Sequence, residues 1–387
     1  MSYLNQKESV LLELGALHTA REIAMQPLLW KQTIEKFNIE SNDINSFLKK
    51  AYNESTNIIL TGAGTSAFIG LSLQGSFFSN SNLITRALAT TDIVSYPKHY
   101  FNATEIPLII SFARSGNSPE SCAALALADN FSGKCFHLII TCDAEGKLAK
   151  FQSKNPVFVF VLPAEANDKG LAMTGSYTSM LLTGLLVAYI DQMDFCIQQV
   201  DLLERVAQKM LSKDLETIEQ ISAKDFQRAV FLGSGALFGT ATEAALKLQE
   251  LTDGQVICKA DTYLGFRHGP KAVIDENTLV IYFFSNSHYV QQYEEDLVHA
   301  MKTGNSAMFQ LGISEHTIPM KELQAQITLT INDQTIAEDF LPVCSIVVGQ
   351  LIAFYKSLQL GFMPDAPSVS GSISRVVQGV YIYSVKK

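Results

Sequence analysis

Short apolar runs alternate along most of the chain with segments of helical periodicity. Residues 1–50 carry apolar positions at three- and four-residue spacing, which predicts helices. Beyond them, unbroken apolar runs predict strands that are buried on both faces. These runs include "NIIL" (57–60), "IPLII" (106–110), "FHLII" (136–140) and "VFVFV" (157–161). Strands of this kind, separated by helices, predict a doubly wound parallel sheet with right-handed crossovers.

The strand pattern occurs twice, with an offset of about 171 residues. Gly62 and Gly233 hold matching places, and "LIISFARSGN" near residue 108 corresponds to "LVIYFFSNSH" near residue 279. Such self-similarity predicts an internal duplication. The expected fold class is therefore α/β, with two tandem flavodoxin-like domains. The expected limits are an N-terminal helical segment at 1–40, a first domain at 41–200 and a second at 215–387, joined by a helical stretch at 194–221.

Composition excludes several classes of protein. The chain has 387 residues, of which 47% are hydrophobic and 17% charged, so disorder is not expected. A net charge of −9 and a pI near 5.3 argue against nucleic-acid binding. No stretch approaches the roughly 20 apolar residues of a membrane span, and no secretory signal is seen. The six cysteines lack ligand spacing, so reduced structural thiols in a cytoplasmic protein are expected, without zinc or disulfides.

Two strand-to-helix turns in the first half carry polar residues suited to an anion. Gly64, Thr65 and Ser66 follow the first strand and open a helix. The segment 114–118, "RSGNS", follows the next predicted strand, with Pro119 and Glu120 as further signs of a helix start. A well-capped helix would explain Ser118 and Pro119 but not Arg114 and Ser115. Together with Asn117, these donors predict a phosphate site at the strand ends.

The second half differs after its glycine turn. Glu243, Lys247 and Glu250 recur at i, i+4 and i+7 and so share one helical face, whereas the matching helix of the first half has no charge. His268 stands between Arg267 and a Gly-Pro turn. An exposed ion pair and a structural histidine are the ordinary interpretations. The alternative is a carboxylate and an imidazole placed for proton transfer.

These motifs resemble the sugar isomerase (SIS) family, which includes the isomerase half of glucosamine-6-phosphate synthase. The resemblance rests on "GAGTS", "SFARSGNSPE", "EAALKLQELTDG" and "LGFRHGPKAVID" and covers nearly the whole chain from about residue 40. The phrases "LGFRHGP" and "SRVVQGV" are similar more narrowly to the AgaS branch. That branch is described as galactosamine-6-phosphate deaminase/isomerases or as tagatose-6-phosphate ketose/aldose isomerases.

The resemblance implies roles for individual residues. Glu250 matches the carboxylate that moves a proton between C1 and C2, with Glu243 and Lys247 as the charged residues before it. His268 matches a histidine of ring opening that enters from the other subunit, which implies a homodimer. The residues that match the family's phosphate ligands are Ser66, Arg114, Ser115 and Ser118. One departure is that Gln378, with Arg375 nearby, stands where the synthase has a catalytic lysine; Lys386 and Lys387 lie past that motif.

The implied activity is conversion of galactosamine 6-phosphate to tagatose 6-phosphate and ammonia, without a metal or redox cofactor. Two alternatives remain: an aldose–ketose isomerase of a hexose 6-phosphate, and a sugar-phosphate sensor. The sensor would have no need for both Glu250 and His268. Nothing in the sequence separates the galacto from the gluco epimer.

Overall fold

The computed structural model describes residues 1–377 and 379–385. The chain divides into two compact units, each assembled from separated stretches. One unit contains Met1–Pro27, Lys169–Thr174 and Gln198–Ile373; the other contains Leu28–Asp168, Gly175–Ile197 and the chain from Ser374 onward. The domain limits expected from the sequence stay a prediction.

The N-terminal region begins with a two-stranded hairpin that the sequence analysis did not predict. Strands β1 (Ser2–Tyr3) and β2 (Gln6–Lys7) pair in antiparallel orientation. The two turn residues, Leu4 and Asn5, have φ values of 48° and 61°, as a tight hairpin turn requires. Helices follow as predicted: α1 (Glu8–Glu13), α2 (Leu17–Ala24) and α3 (Gln26–Glu54).

The first half forms one five-stranded parallel sheet in the order β4-β3-β5-β6-β7. Its strands are β3 (Asn57–Gly62), β4 (Ile84–Ala89), β5 (Pro107–Ala113), β6 (Phe136–Thr141) and β7 (Val157–Val161). Its helices are α4 (Thr65–Ser81), α5 (Thr90–Ser95), α6 (Pro97–Tyr100), α7 (Pro119–Phe131) and α8 (Gly175–Ala188). Every residue of α8 is buried, which explains why its sequence is apolar on all sides.

A helical linker leads into the second half. It consists of α9 (Met193–Lys209), a π-helical turn (Met210–Asp214) and α10 (Leu215–Ser222). This linker corresponds to the helical stretch predicted for residues 194–221.

The second half forms another five-stranded parallel sheet, in the order β12-β11-β10-β8-β9. Its strands are β8 (Arg228–Leu232), β9 (Ile257–Asp261), β10 (Thr278–Phe283), β11 (Phe309–Ser314) and β12 (Ala325–Thr328). Its helices are α11 (Ala236–Leu251), α12 (Tyr263–Phe266), α13 (His288–Ala300) and α14 (Leu341–Gln359). Read from its β9 edge, this sheet has the strand order of the first sheet, and the predicted fold class is confirmed.

One segment is more apolar than the sequence analysis allowed. Glu338–Gln359 is long and apolar enough to cross a membrane by length and composition, so the expectation that no stretch approaches a span was wrong. In the structure 94% of its most apolar window is buried inside the protein. A helix that is covered by protein on all sides has the same composition as a membrane span, and α14 is such a core helix.

Candidate active site

The turn from β3 into α4 brings buried hydroxyls to a helix N-terminus. Gly64 is the N-cap residue of α4 and has a φ of 56°, a conformation that favours glycine. Thr65 and Ser66 follow in the first turn and are 5% and 4% exposed. Because the first N–H groups of a helix lack intrahelical partners, this turn offers donors to an anion.

The segment after β5 lies beside this turn, at the same carboxyl end of the sheet. Thr61 of β3 pairs with Ser111 of β5, so the carboxyl ends of these parallel strands lie side by side. Gly116 has a φ of 62° and turns the chain toward α7. Ser118 is the N-cap of α7, as predicted, but its hydroxyl makes no capping hydrogen bond. We call residues 62–66 and 114–118 together the anion cradle.

Arg114 is the charged member of the anion cradle. Its side chain is only 7% exposed, and its Nη2 donates to the main-chain carbonyl of Arg375 at 2.6 Å. Arg375 in turn donates through Nε to the carbonyl of Asp168 at 2.9 Å and through Nη2 to Asn167 Oδ1 at 2.7 Å. The C-terminal segment around Arg375 is therefore fixed beside the cradle.

Gln378, Lys386 and Lys387 lie outside the described residues. Of the two residues that the sequence analysis associated with the missing lysine, Arg375 is the one whose contacts are known.

Asn117 has a different environment from its neighbours in the cradle. Its Nδ2 donates to the carbonyl of Ser115 at 3.0 Å, and its Oδ1 accepts from the Lys147 N–H at 3.2 Å. Its main-chain N–H is directed at Ser115 Oγ, at 3.3 Å. These contacts shape the turn, so the amide of Asn117 acts in holding the cradle together.

The same strand end in the second half already holds an anion, which is one of the protein's own carboxylates. Ser285 and Asn286 follow β10 and occupy the positions of Arg114 and Ser115 at the offset of 171 residues. Glu338 Oε1 accepts from the Ser285 hydroxyl at 2.6 Å, and its Oε2 accepts from the Asn286 N–H at 2.9 Å. A phosphate bound at this strand end would have to displace this partly buried contact.

A second carboxyl group lies behind this contact. Glu294 on α13 is fully buried, and its Oε2 accepts from the Ser285 N–H at 3.0 Å. Burial raises the pKa of Glu294 to about 8, and the nearby Glu338 carboxylate adds to the increase. Burial thus favours the protonated form of Glu294, which limits the negative charge gathered at this strand end.

The three charged residues of α11 contact one another, as their spacing predicted. Lys247 Nζ lies 3.4 Å from Glu243 Oε1 and forms a second ion pair with Glu250 Oε2. The side chains of Glu243 and Lys247 are 0% and 1% exposed, whereas that of Glu250 is 22% exposed. Of this trio, Glu250 is the member that solvent can reach.

The position of α11 is set by close packing against α14. Gly349 of α14 faces Ala244, and a Cβ at Gly349 would lie 2.7 Å from the Ala244 Cβ. Such an approach needs glycine at this crossing. Ala244 directly follows Glu243, so this contact fixes the helix face that carries the charged trio.

His268 lies in the exposed turn between α12 and the 3-10 helix Pro270–Val273. Its main-chain N–H donates to the carbonyl of Gly265 at 3.0 Å, which orders the backbone of the turn. The neighbouring Leu264 is 50% exposed.

Sequence reasoning named the residues of the cradle and of α11 but missed two features beside them. The Glu338 carboxylate reaches Ser285 from a position 53 residues later in the chain, and Arg375 reaches Arg114 across 261 residues. No local pattern marks such contacts.

Comparison with known proteins gives a consistent result. The family model for the SIS domain matches this chain twice, over residues 51–189 and 223–358. The chain is 38% identical over 382 residues to the D-galactosamine-6-phosphate deaminase AgaS of Shewanella sp. (strain ANA-3), covering 97% of this chain and 94% of that protein.

Two crystal structures are similar over almost their full length. One is a candidate tagatose-6-phosphate ketose/aldose isomerase from Clostridium novyi NT, with a TM-score of 0.95, 39% identity and complete coverage of both chains. The other is the tagatose-6-phosphate ketose/aldose isomerase from Escherichia coli, with a TM-score of 0.84, 33% identity and coverage of 95% of this chain and 97% of that one. On this evidence the chain belongs to the SIS domain family.

Proposed function

We propose that this protein catalyses the deaminating isomerisation of an amino-sugar 6-phosphate, converting galactosamine 6-phosphate to tagatose 6-phosphate and ammonia. The observation that carries the proposal is the trio on α11, in which a buried lysine sits between two carboxylates and only Glu250 is partly exposed. The name of the Shewanella relative, a galactosamine-6-phosphate deaminase, supports the same substrate.

In this proposal the anion cradle holds the phosphate group of the sugar. Ser66, Arg114, Ser115 and Ser118 supply hydroxyl and guanidinium donors, and Gly64 and Thr65 contribute the N-terminal turn of α4. Two helix N-termini, of α4 and α7, add their dipoles. The Ser118 hydroxyl, which makes no capping bond, is available as a donor. Asn117 keeps the turn in shape.

The chemistry follows from the groups on α11 and in the His268 turn. His268 moves the proton of the ring hydroxyl, which opens the pyranose to the aldehyde. Glu250 then removes the C2 proton and returns it to C1, while the aldehyde oxygen gains a proton and the amino nitrogen gives one up, so that the 2-amino aldose becomes a 2-imino ketose. Water adds to the imine carbon, and ammonia leaves to give the ketose. Each proton that Glu250 takes up is given back within one turnover.

Lys247 and Glu243 act by holding Glu250. The Lys247 ammonium balances the two carboxylates in a buried setting, where unpaired charges are costly. It also places positive charge beside the carboxylate at which the C2 proton arrives. We assign Glu243 and Lys247 as positioning residues and Glu250 as the catalytic base.

A plain aldose–ketose isomerase acting on tagatose 6-phosphate is the second candidate. It is favoured by the described activity of the Escherichia coli structure. The same proton transfer by Glu250 would serve a substrate with a 2-hydroxyl group, and the reaction would stop at the ketose. The presence or absence of ammonia among the products separates the two candidates.

The proposed assembly is a homodimer in the cytoplasm in which His268 completes the site of the partner subunit. The exposed turn that carries His268, next to the half-exposed Leu264, supports this assignment. Buried in a dimer interface, this turn would be shielded and the imidazole positioned.

The test is ammonia release from galactosamine 6-phosphate and from glucosamine 6-phosphate by the parent and by Glu250→Gln. We expect ammonia from the galacto epimer and a loss of about 10²- to 10⁴-fold in kcat for Glu250→Gln. Glu276→Gln is the matched control, since Glu276 is an exposed carboxylate in the turn before β10. Absence of ammonia with either sugar, together with isomerisation of tagatose 6-phosphate, would establish the second candidate instead.

A further inference from the structure

Three potential metal ligands lie close together at the amino end of β6, whereas the anion cradle lies at the carboxyl ends of the strands. Cys135 directly precedes β6, and His137 is the second residue of that strand. Because the two residues are two positions apart along an extended chain, their side chains point to the same face of the sheet. Asp129, in the last turn of α7, reaches this face. His137 Nε2 lies 2.9 Å from Asp129 Oδ1, and Cys135 Sγ lies 3.3 Å from each of those two atoms.

These spacings fit a metal ion without rearrangement of the backbone. Zinc binds histidine nitrogen and carboxylate oxygen at about 2.0–2.1 Å and thiolate sulfur at about 2.3 Å. For a triangle with sides of 2.9, 3.3 and 3.3 Å, a point about 1.1 Å above its plane satisfies all three bond lengths, with angles of about 90–100° at the metal. One face of the ion would remain open for a fourth ligand.

The surroundings hold the carboxylate in place. Ser153 donates to Asp129 Oδ2 at 2.6 Å, and Asn155 Nδ2 donates to Asp129 Oδ1 at 2.8 Å. Such hydrogen bonds to a ligand are what orient the carboxylates of metal sites. His137 is fully buried, and within the described residues its Nδ1 has no hydrogen-bond partner. The ring is held by the contacts of Nε2 and by edge-on packing against Phe151, with the ring centroids 5.4 Å apart.

This group is separate from the anion cradle. His137 is the second residue of β6 and Thr141 is its last, and four residues of strand span about 13 Å. The cradle lies at the Thr141 end. A metal at the His137 end would therefore not touch a phosphate bound in the cradle.

We propose that Asp129, Cys135 and His137 form a binding site for a thiophilic divalent transition metal, zinc foremost, which ties the end of α7 to the start of β6. The mixed sulfur, nitrogen and oxygen donor set suits zinc over magnesium or calcium, which prefer oxygen ligands alone. The sequence analysis expected no zinc because no cysteine pair has ligand spacing; the third ligand comes instead from a neighbouring helix.

The test is titration of the chelator-treated full-length protein with cobalt(II), which takes zinc sites and reports thiolate ligation by near-ultraviolet charge-transfer absorption. We expect one equivalent to bind with that absorption, zinc to displace it, and the midpoint of thermal unfolding to rise with added zinc. Asp129→Asn and Cys135→Ser should each weaken binding by at least about 100-fold, and Ser153→Ala, which removes only a supporting hydrogen bond, by about 10-fold.

Cys196→Ser is the matched control, because Cys196 is a buried free cysteine of the same unit that lies outside the group. It should bind cobalt as the parent does. No charge-transfer absorption and no zinc-dependent shift in the parent would overturn the proposal, as would a Cys135→Ser signal equal to that of the parent. In either case the three side chains only hydrogen-bond to one another and do not bind a metal.

Discussion

At the scale of single residues, the charge balance on α11 makes a first prediction. Lys247 is 1% exposed and neutralises Glu243, which is 0% exposed. In Lys247→Met the Glu243 carboxylate keeps its burial but loses its ion pair with Lys247. Removing one partner of a buried ion pair typically costs about 3–5 kcal/mol. We expect that loss in the free energy of unfolding, measured by denaturant titration.

The double variant Glu243→Gln with Lys247→Met is the control for this prediction. It removes the buried charge along with its partner, so most of the lost stability should return. Glu250→Gln, in contrast, changes a partly exposed group and should leave the unfolding free energy within about 1 kcal/mol. If Lys247→Met and the double variant were equally unstable, packing rather than charge would explain the loss.

A second prediction at this scale concerns pH and Glu294. The pKa of this carboxyl is raised to about 8 in the folded protein from an ordinary value of 4.5. Between these values the unfolded chain has released the proton and the folded one retains it, so stability falls as pH rises. The slope from a single such group is roughly 1.4 kcal/mol per pH unit.

Glu294→Gln isolates this contribution, because the amide is close in shape and does not titrate. The difference in unfolding free energy between parent and variant, measured at several pH values, should favour the variant increasingly from about pH 5 to 8 and then level off. A difference that stays constant over this range would mean that Glu294 does not carry a raised pKa.

The residue scale is also where sequence reasoning reaches its limit. The identities of Arg114, Glu250 and His268 were available from local motifs. Their partners were not: the Glu338 contact with Ser285 and the grouping of Asp129 with His137 depend on how separate elements pack. Hydrogen bonds of this kind are specified by the fold as a whole and leave no periodic signal in the chain.

At the scale of elements, the two glycine turns give a third prediction. Gly62 closes β3, and a Cβ there would lie 2.5 Å from the backbone of Ser66, so Gly62→Ala must displace the start of α4. Gly64 has open space around it, and Gly64→Ala is opposed only by its φ of 56°. That backbone cost is about 1–3 kcal/mol.

We therefore expect Gly62→Ala to be less stable than Gly64→Ala and to bind inorganic phosphate more weakly, because the cradle moves with the helix. Thermal unfolding and phosphate titration by calorimetry measure the two effects. Gly75→Ala is the control, since it lies within α4, where a Cβ meets no atom within 4 Å. If Gly64→Ala were less stable than Gly62→Ala, the backbone strain at residue 64 would outweigh the steric contact of a Cβ at residue 62 with Ser66.

Elements were predictable where burial is complete on both faces. β3, β5, β6, β8 and β10 are almost entirely buried, and their unbroken apolar sequences predicted them. β4 and β9 were missed. They are the edge strands "ITRALA" and "ICKAD", partly exposed and interrupted by charged residues, so they lack that pattern.

At the scale of the whole molecule, the matching strand orders follow from the sequence offset. Gly64 and Gly235, 171 residues apart, have the same φ of 56° and ψ values of −128° and −127°. The sequence offset does not predict how the chain divides into its two compact units. Each compact unit takes stretches from distant parts of the sequence, and such exchange depends on packing that no linear pattern records.

The proposed dimer gives the last prediction, which asks whether His268 acts within its own chain or in the partner subunit. His268→Asn and Glu250→Gln should each be nearly inactive alone. If His268 serves the partner's site, a mixed dimer has one site with both Glu250 and His268 intact. Random mixing makes half of the dimers mixed, so refolding the two variants together should restore about a quarter of the parent's ammonia release per chain. The control is a mixture of the two folded variants that is never unfolded, because it shows how much activity arises without subunits being exchanged by refolding. Sedimentation must show a dimer, and a dimer in which mixing restores nothing would place His268 and Glu250 of one chain in the same site.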